Sequence, residues 1–324
     1  MKNFAFVRAR SVKEAVLSLG TDWNEAAVMG GGTDLIGEMK NYVHTPNKVV
    51  NLRAVPDLKY IKQDGNLIKI GALTSIAAVE TDTLIKSNFA ALSKAASLVA
   101  SPQLRNMGTI AGNICQRPRC WYYRDSGIEC LRKGGRLCYA MVGENKYHAV
   151  LGGLGCYIVH PSDTAVSFTA FDAKIKIAHP DGEKEVNIEE FFVLPEDDLN
   201  RENILKPNEI VTEISVPIPE NGTKSTFIKV QERGVWDFAV AGVAVSLKLD
   251  GNRCDKARIV LGAAAPIPWR SLDAEKELEG RTINEETAQR AADASVYNNM
   301  PMTGNAYKVQ LFKNIVKRAI LELV

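Results

Sequence analysis

Four cysteines in one short stretch constrain this chain more than any other feature. Cys120, Cys130, Cys138 and Cys156 follow the spacing C-x9-C-x7-C-x17-C. Arg124, Arg132, Lys133 and Arg136 lie among them, and Trp121, Tyr122 and Tyr123 follow the first. Thiolates gathered in a basic, aromatic neighbourhood suit a soft metal or an iron–sulfur cluster. Zinc is the rival, but structural zinc sites generally use C-x2–4-C knuckles, and none occurs here. Cys115 reads as a buried small side chain, and Cys254, in Asn252-Arg253-Cys254-Asp255, as an unpaired thiol in a turn.

The compartment bears on that choice. No apolar run is long enough to cross a bilayer, and the first residues lack an apolar core of signal length. A cytoplasmic location is expected, with a periplasmic one only if a signal-bearing partner exports the folded complex. Reduced cysteines there hold metal more readily than they pair. The net charge of +2 gives no general case for nucleic-acid binding.

The 324 residues leave room for two or three domains. Ser11-Val12-Lys13-Glu14 reads as a capping box opening a short helix that Gly20 closes. Strands are expected at 26–29, 49–52, 67–72 and 174–178, with helices at 89–99 and 164–172. The stretch from about 115 to 156 breaks any regular pattern. Three strand-like runs at 226–231, 238–248 and 257–263 precede helices, the last carrying Val309, Phe312, Val316, Ala319, Ile320 and Leu323 on one face. That order implies a separate α+β domain, with its boundary in the loop Pro217–Gly222. The expected division is 1–56, 57–219 and 220–324.

Two glycine-rich loops follow strand-like runs. Gly30, Gly31 and Gly32 would let backbone N–H groups turn toward a phosphate. The loop is no P-loop, because Glu38 rather than Lys follows Gly37, and Leu35 stands where a dinucleotide fingerprint needs its third glycine. On its own it reads as well as a plain tight turn. The second loop, Leu104 to Ile114, offers threonine and asparagine groups for neutral hydrogen bonds to phosphate or ribityl oxygens. No acid–base or nucleophilic constellation is visible, so no catalytic residue is assigned.

Five motifs occur in one order: Met29-Gly30-Gly31-Gly32-Thr33-Asp34-Leu35; Ile70-Gly71-Ala72; Arg105-Asn106-x-x-Thr109-Ile110-Ala111-Gly112-Asn113; Pro161-Ser162-Asp163; and Lys229-x-x-x-Arg233-x-x-x-Asp237. Over nearly its whole length the chain thereby resembles the FAD-binding medium subunit of molybdenum hydroxylases, the xanthine dehydrogenase family. Most members lack the cysteine block. It is similar to the insertion of the 4-hydroxybenzoyl-CoA reductase and aldehyde oxidoreductase branches, which carry an extra 4Fe-4S cluster, and its short spacings look closer to the aldehyde-oxidising branch.

The resemblance implies an α+β chain. Two subdomains would form the FAD-binding fold of the vanillyl-alcohol-oxidase and molybdenum-hydroxylase flavoproteins, followed by a C-terminal three-stranded sheet with helices. Met29, Gly30, Gly31, Gly32, Thr33, Asp34, Leu35 and Ile36 would wrap the FAD pyrophosphate. Thr109, Gly112 and Asn113 would line the second loop, with Arg119 nearby. Ala111 replaces a frequent glycine there, which implies a slightly rearranged loop. Asp163 would bond polar flavin atoms, and Lys229 would approach the isoalloxazine. Cys120, Cys130, Cys138 and Cys156 would ligate the cluster.

Partners implied are a molybdopterin-binding large subunit, a 2Fe-2S small subunit and an external electron carrier such as ferredoxin or NAD. The chain would be the electron-transfer subunit of an oxidoreductase. Two other readings stand beside it: a self-contained flavin oxidase and a zinc-stabilised binding protein.

Several residues keep two readings. Trp121, Tyr122 and Tyr123 shield the cluster or pack beneath an irregular insertion, and Trp236 covers the flavin or packs ordinarily. Arg105 and Asp237 read as ion-pair partners rather than ligands, and His160 as a structural histidine. His44 and His148 carry no assignment.

Overall fold

Val49 and Val50 are both fully buried, as expected of a strand covered on both faces. They belong to β3 (Lys48–Asn51), the centre of a parallel sheet between β1 (Ala5–Arg8) and β2 (Ala27–Met29). The computed structural model describes residues 1–324. The helix Val12–Ser18 opens on Ser11, whose hydroxyl accepts from Glu14 N–H, while the Glu14 carboxylate accepts from Arg10 N–H rather than from Ser11. The helix ends at Leu19, not at Gly20.

The second sheet is antiparallel and five-stranded, in the order β4 (Ile61–Asp64), β5 (Leu67–Gly71), β8 (Ile210–Pro217), β6 (Lys174–His179) and β7 (Gly182–Asn187). Ile68, Ile70, Ile175, Ile177 and Ile214 point from it into a core shared with the helices Ala90–Ser97 and Asp163–Ala170. All eight residues of the second of these helices are buried.

The third sheet explains that burial. It runs β9 (Thr223–Val230), β10 (Ala241–Asp250), β11 (Arg253–Gly262), plus a short edge strand β12 (Trp269–Arg270). The sheet therefore has four strands, not three: Trp269 and Arg270 pair with Leu261 and Val260 over too few residues to leave a periodic signal. Along β10, Val243, Val245 and Leu247 face the C-terminal helices, while Ala244 faces the middle of the chain. The helix Asp163–Ala170 packs on β10 and β11 from that second side. A sheet covered twice reads as one continuous apolar run, as 241–247 does.

Cys254 is not in a turn. It lies in β11, fully buried in the C-terminal core, and is a free thiol.

Candidate functional site

The first glycine loop continues β2 and turns under the second loop. Gly32 takes φ +76°, a left-handed conformation that glycine adopts at no steric cost. A Cβ on Gly31 would sit 2.1 Å from the Met107 carbonyl oxygen, so only glycine lets the two loops touch. The N–H groups of Gly31, Gly32 and Thr33 donate to no acceptor within the chain. Such a run of free donors is a ready anion cradle. Leu35 and Ile36 begin the helix Leu35–Lys40 just beyond.

The second loop keeps most of its own donors occupied. Gly108, Ile110, Ala111 and Asn113 N–H groups all bond to carbonyls, and Gly112 N–H bonds to the Thr109 hydroxyl. Ala111 sits in the short helix Ile110–Ile114 with no positive φ, so alanine is unstrained there. Asn113 Oδ1 accepts from the Ser162 and Thr164 hydroxyls at 2.5 and 2.7 Å, tying this loop to the Pro161-Ser162-Asp163 turn.

That turn forms one wall of a cavity of about 380 Å³ between the middle of the chain and the third sheet. Arg119, Trp121, His160, Asp163, Asp237 and Phe238 line it. Arg119 lies over the Phe238 ring, bonds to Gln116 and pairs with Asp34 at 3.0 Å. Burial pushes the His160 imidazolium down to about 3, so the ring is neutral; its Nδ1 accepts from Ser162 N–H and its Nε2 is buried without a partner. Burial also raises the Asp163 carboxyl, against the pull of Lys229.

Lys229 differs from expectation. Its side chain is 2% exposed, and its ammonium donates to Asp163 Oδ2 at 2.8 Å, Leu98 O at 2.9 Å and Asp237 O at 3.0 Å. Three N–H groups meet three acceptors, so none is left for a ligand. Lys229 holds Asp163 instead of reaching the cavity. Asp34 differs likewise: its carboxylate pairs with Arg119 and Arg124 and accepts from Arg117 N–H. It anchors the cysteine segment.

Cys120, Cys130, Cys138 and Cys156 line a single second cavity with Tyr122, Tyr123, Leu131, Arg132, Tyr139 and His148. The backbone does this with short turns: Gly134 takes φ +89° and the Gly135 N–H returns to the Cys130 carbonyl. No three His, Cys, Asp or Glu side chains approach closely enough to hold one metal ion. The segment is clamped from three directions. Tyr123 OH donates to Glu38 at 2.9 Å. Arg132 and Arg117 pair with buried Glu202 at 3.1 and 3.0 Å. Asn305 and Lys308 of the C-terminal region donate to the His148 carbonyl. Burial pushes the Cys120 thiol up to about 12, and Arg132 draws the Cys156 thiol down against the larger effect of burial. Cys120, His148 and Ile158 line both cavities, so the two share a wall.

Other residues resolve as follows. Trp121 borders the larger cavity, whereas Tyr122 and Tyr123 border the cysteines. Trp236 is 63% exposed at φ +54° and is neither a cavity wall nor core. Arg105 pairs with Glu80 and Asp237 with Arg233, not with each other. Cys115 packs against the middle core, where burial pushes its thiol up to about 12. Phe238 and His148 escaped sequence reasoning; His148's place among the cysteines and aromatics was the only available signal.

Comparison with known proteins follows this geometry closely. Residues 2–219 match the family described as FAD binding domain in molybdopterin dehydrogenase, and residues 226–323 match the CO dehydrogenase flavoprotein C-terminal domain. The aldehyde oxidoreductase FAD-binding subunit PaoB of Escherichia coli (strain K12) is 31% identical over 325 residues, covering 99% of this chain and 98% of its own. The carbon monoxide dehydrogenase medium chain of Hydrogenophaga pseudoflava is 28% identical, covering 98% and 96%. A solved structure of carbon monoxide dehydrogenase from Hydrogenophaga pseudoflava, lacking the Mo-pyranopterin moiety, superposes with a TM-score of 0.79 at 27% identity, covering 99% of this chain and 96% of that one.

Proposed function

The chain belongs to the family of FAD-binding medium subunits of molybdenum hydroxylases, and from that premise we propose that it is an electron-transfer subunit holding both FAD and a 4Fe-4S cluster. FAD, when bound, supplies exchange between one-electron and two-electron partners. The residues present fit it. The free N–H groups of Gly31, Gly32 and Thr33, within the stretch Met29 to Ile36, suit the pyrophosphate. Thr109, Gly112 and Asn113 border the second loop. The cavity beside Asp163, Arg119 and His160 suits the ring system. Lys229 acts through Asp163 by fixing that carboxylate's place and charge.

The cluster rests on the four cysteines. A single tetrahedral ion would draw its thiolates to roughly 3.8 Å from one another, given Zn–S bonds of about 2.3 Å, and no such grouping exists. Four thiols around one small cavity of about 20 Å³, beside the buried cation of Arg132, suit a thiolate-held group carrying net negative charge. For the self-contained oxidase alternative, Asp163 is committed to Lys229, and Tyr147 and Glu232 of the larger cavity are bonded to one another at 2.8 Å.

The shared wall of Cys120, His148 and Ile158 is the observation that carries the reading, because it supports two redox groups held side by side. A molybdopterin-binding large subunit and a 2Fe-2S small subunit would complete the assembly, with ferredoxin, NAD or another carrier outside it. No helix is long and apolar enough to cross a membrane, and the free thiols favour a reducing, cytoplasmic setting. Visible spectra of the anaerobically purified complex test the proposal. Flavin bands with a broad iron–sulfur absorption, both bleached by dithionite, support it. Colourless protein with stoichiometric zinc, or iron-free flavin reduced directly by an alcohol, contradicts it.

A further inference from the structure

His148 lies where the two cavities meet, and its ring is within hydrogen-bond reach of one cysteine. Its Nε2 is 3.3 Å from Cys120 Sγ. Cys120 is the one member of the four that also lines the larger cavity. We propose that His148 is a positioning residue that donates a hydrogen bond to the Cys120 sulfur and would thereby tune the potential of the cluster that Cys120 would help to hold. The inference rests on the cluster reading above and adds a residue to it.

The surroundings hold the ring to this contact. Trp121 meets it edge-on with centroids 5.8 Å apart, and Tyr122 lies against it at 6.2 Å. Its carbonyl accepts from Asn305 at 3.1 Å and from the buried Lys308 ammonium at 3.0 Å, and its N–H donates to Asn145 O at 3.0 Å. Its other ring nitrogen, Nδ1, is buried without a partner. A ligating thiolate accepts and cannot donate, so the proton belongs on Nε2. A hydrogen bond to a cluster sulfur stabilises the reduced, more negative state and raises the potential.

Two variants in the co-expressed complex test this. His148→Phe keeps the aromatic packing and removes the donor; His148→Gln restores a donor without the ring. Iron, sulfide and FAD are counted per chain, and the cluster potential is read by EPR-monitored redox titration. The proposal expects His148→Phe to retain iron and FAD at wild-type ratios while the potential moves to more negative values. His148→Gln should recover part of that shift. An unchanged potential in His148→Phe at full iron content, or an equal shift in both variants, overturns it. Loss of iron from both makes His148 structural and also overturns it. A wild-type complex without iron is a separate result: it overturns the cluster reading itself.

Discussion

Lys229 Nζ sits 2.8 Å from Asp163 Oδ2, joining β9 of the third sheet to the first turn of the helix Asp163–Ala170. The pair is buried, and its Asp163 member lines the larger cavity. Replacing Lys229 with Met leaves a buried carboxylate without its cation. Such a change typically costs about 3–5 kcal/mol. Thermal unfolding should shift down accordingly, and FAD should be lost more readily on gel filtration, with the loss read from flavin absorbance.

Gly31→Val places side-chain atoms against the Met107 carbonyl oxygen, which is backbone and cannot rotate away. The two loops must separate. Overpacking of this kind costs roughly 1–3 kcal/mol. FAD affinity should fall about tenfold or more, measured by fluorescence titration of the apo-flavin protein, with little change in secondary structure by circular dichroism.

Asp34→Asn removes the carboxylate that holds Arg119 and Arg124. The amide can still accept from Arg117 N–H, so the chain should fold. On the proposed reading both sites depend on this anchor, since Arg119 borders one cavity and the segment supplies the cysteines of the other. Iron and FAD contents should fall together, and a variant losing neither would contradict the anchoring role.

Acid sensitivity should have an identifiable source. His160 is held neutral in the fold, its imidazolium pushed down to about 3 by burial, whereas an unfolded histidine titrates near 6.5. Between those values only the unfolded chain takes the proton. Stability from this group is therefore complete above about pH 6.5 and is lost as pH falls toward 3, at about 1.4 kcal/mol per pH unit. His160→Phe should flatten the denaturation profile between pH 6 and 4 relative to wild type, as followed by urea titrations at stepped pH.

Much of this arrangement was legible in the residues, and the gaps have physical causes. The glycine loops and the alternating strand, expected at 174–178 and found at Lys174–His179, follow from local chemistry. Pairings across long separations do not. Glu202 meets Arg132 and Arg117, and Glu38 meets Tyr123, through folding that no local pattern encodes. Asp163 and Lys229 each stood out singly, and their pairing across a long separation left no local signal. The edge strand Trp269–Arg270 is too short to show a period. Cys254 looked like a turn residue because polar neighbours surround it, but in β11 its neighbours Arg253 and Asp255 are exposed while it faces inward.

The most direct measurement is iron and sulfide content of the anaerobically purified complex for wild type, Cys130→Ser and Cys254→Ser, with FAD counted in the same samples. Cys130 lines the cysteine cavity, and Cys254 lies in a separate core. Wild type and Cys254→Ser should each carry four iron atoms per chain by virtue of one 4Fe-4S cluster, and Cys130→Ser should lose or convert the cluster while keeping FAD. Equal iron in all three, or no iron in wild type, would contradict the account.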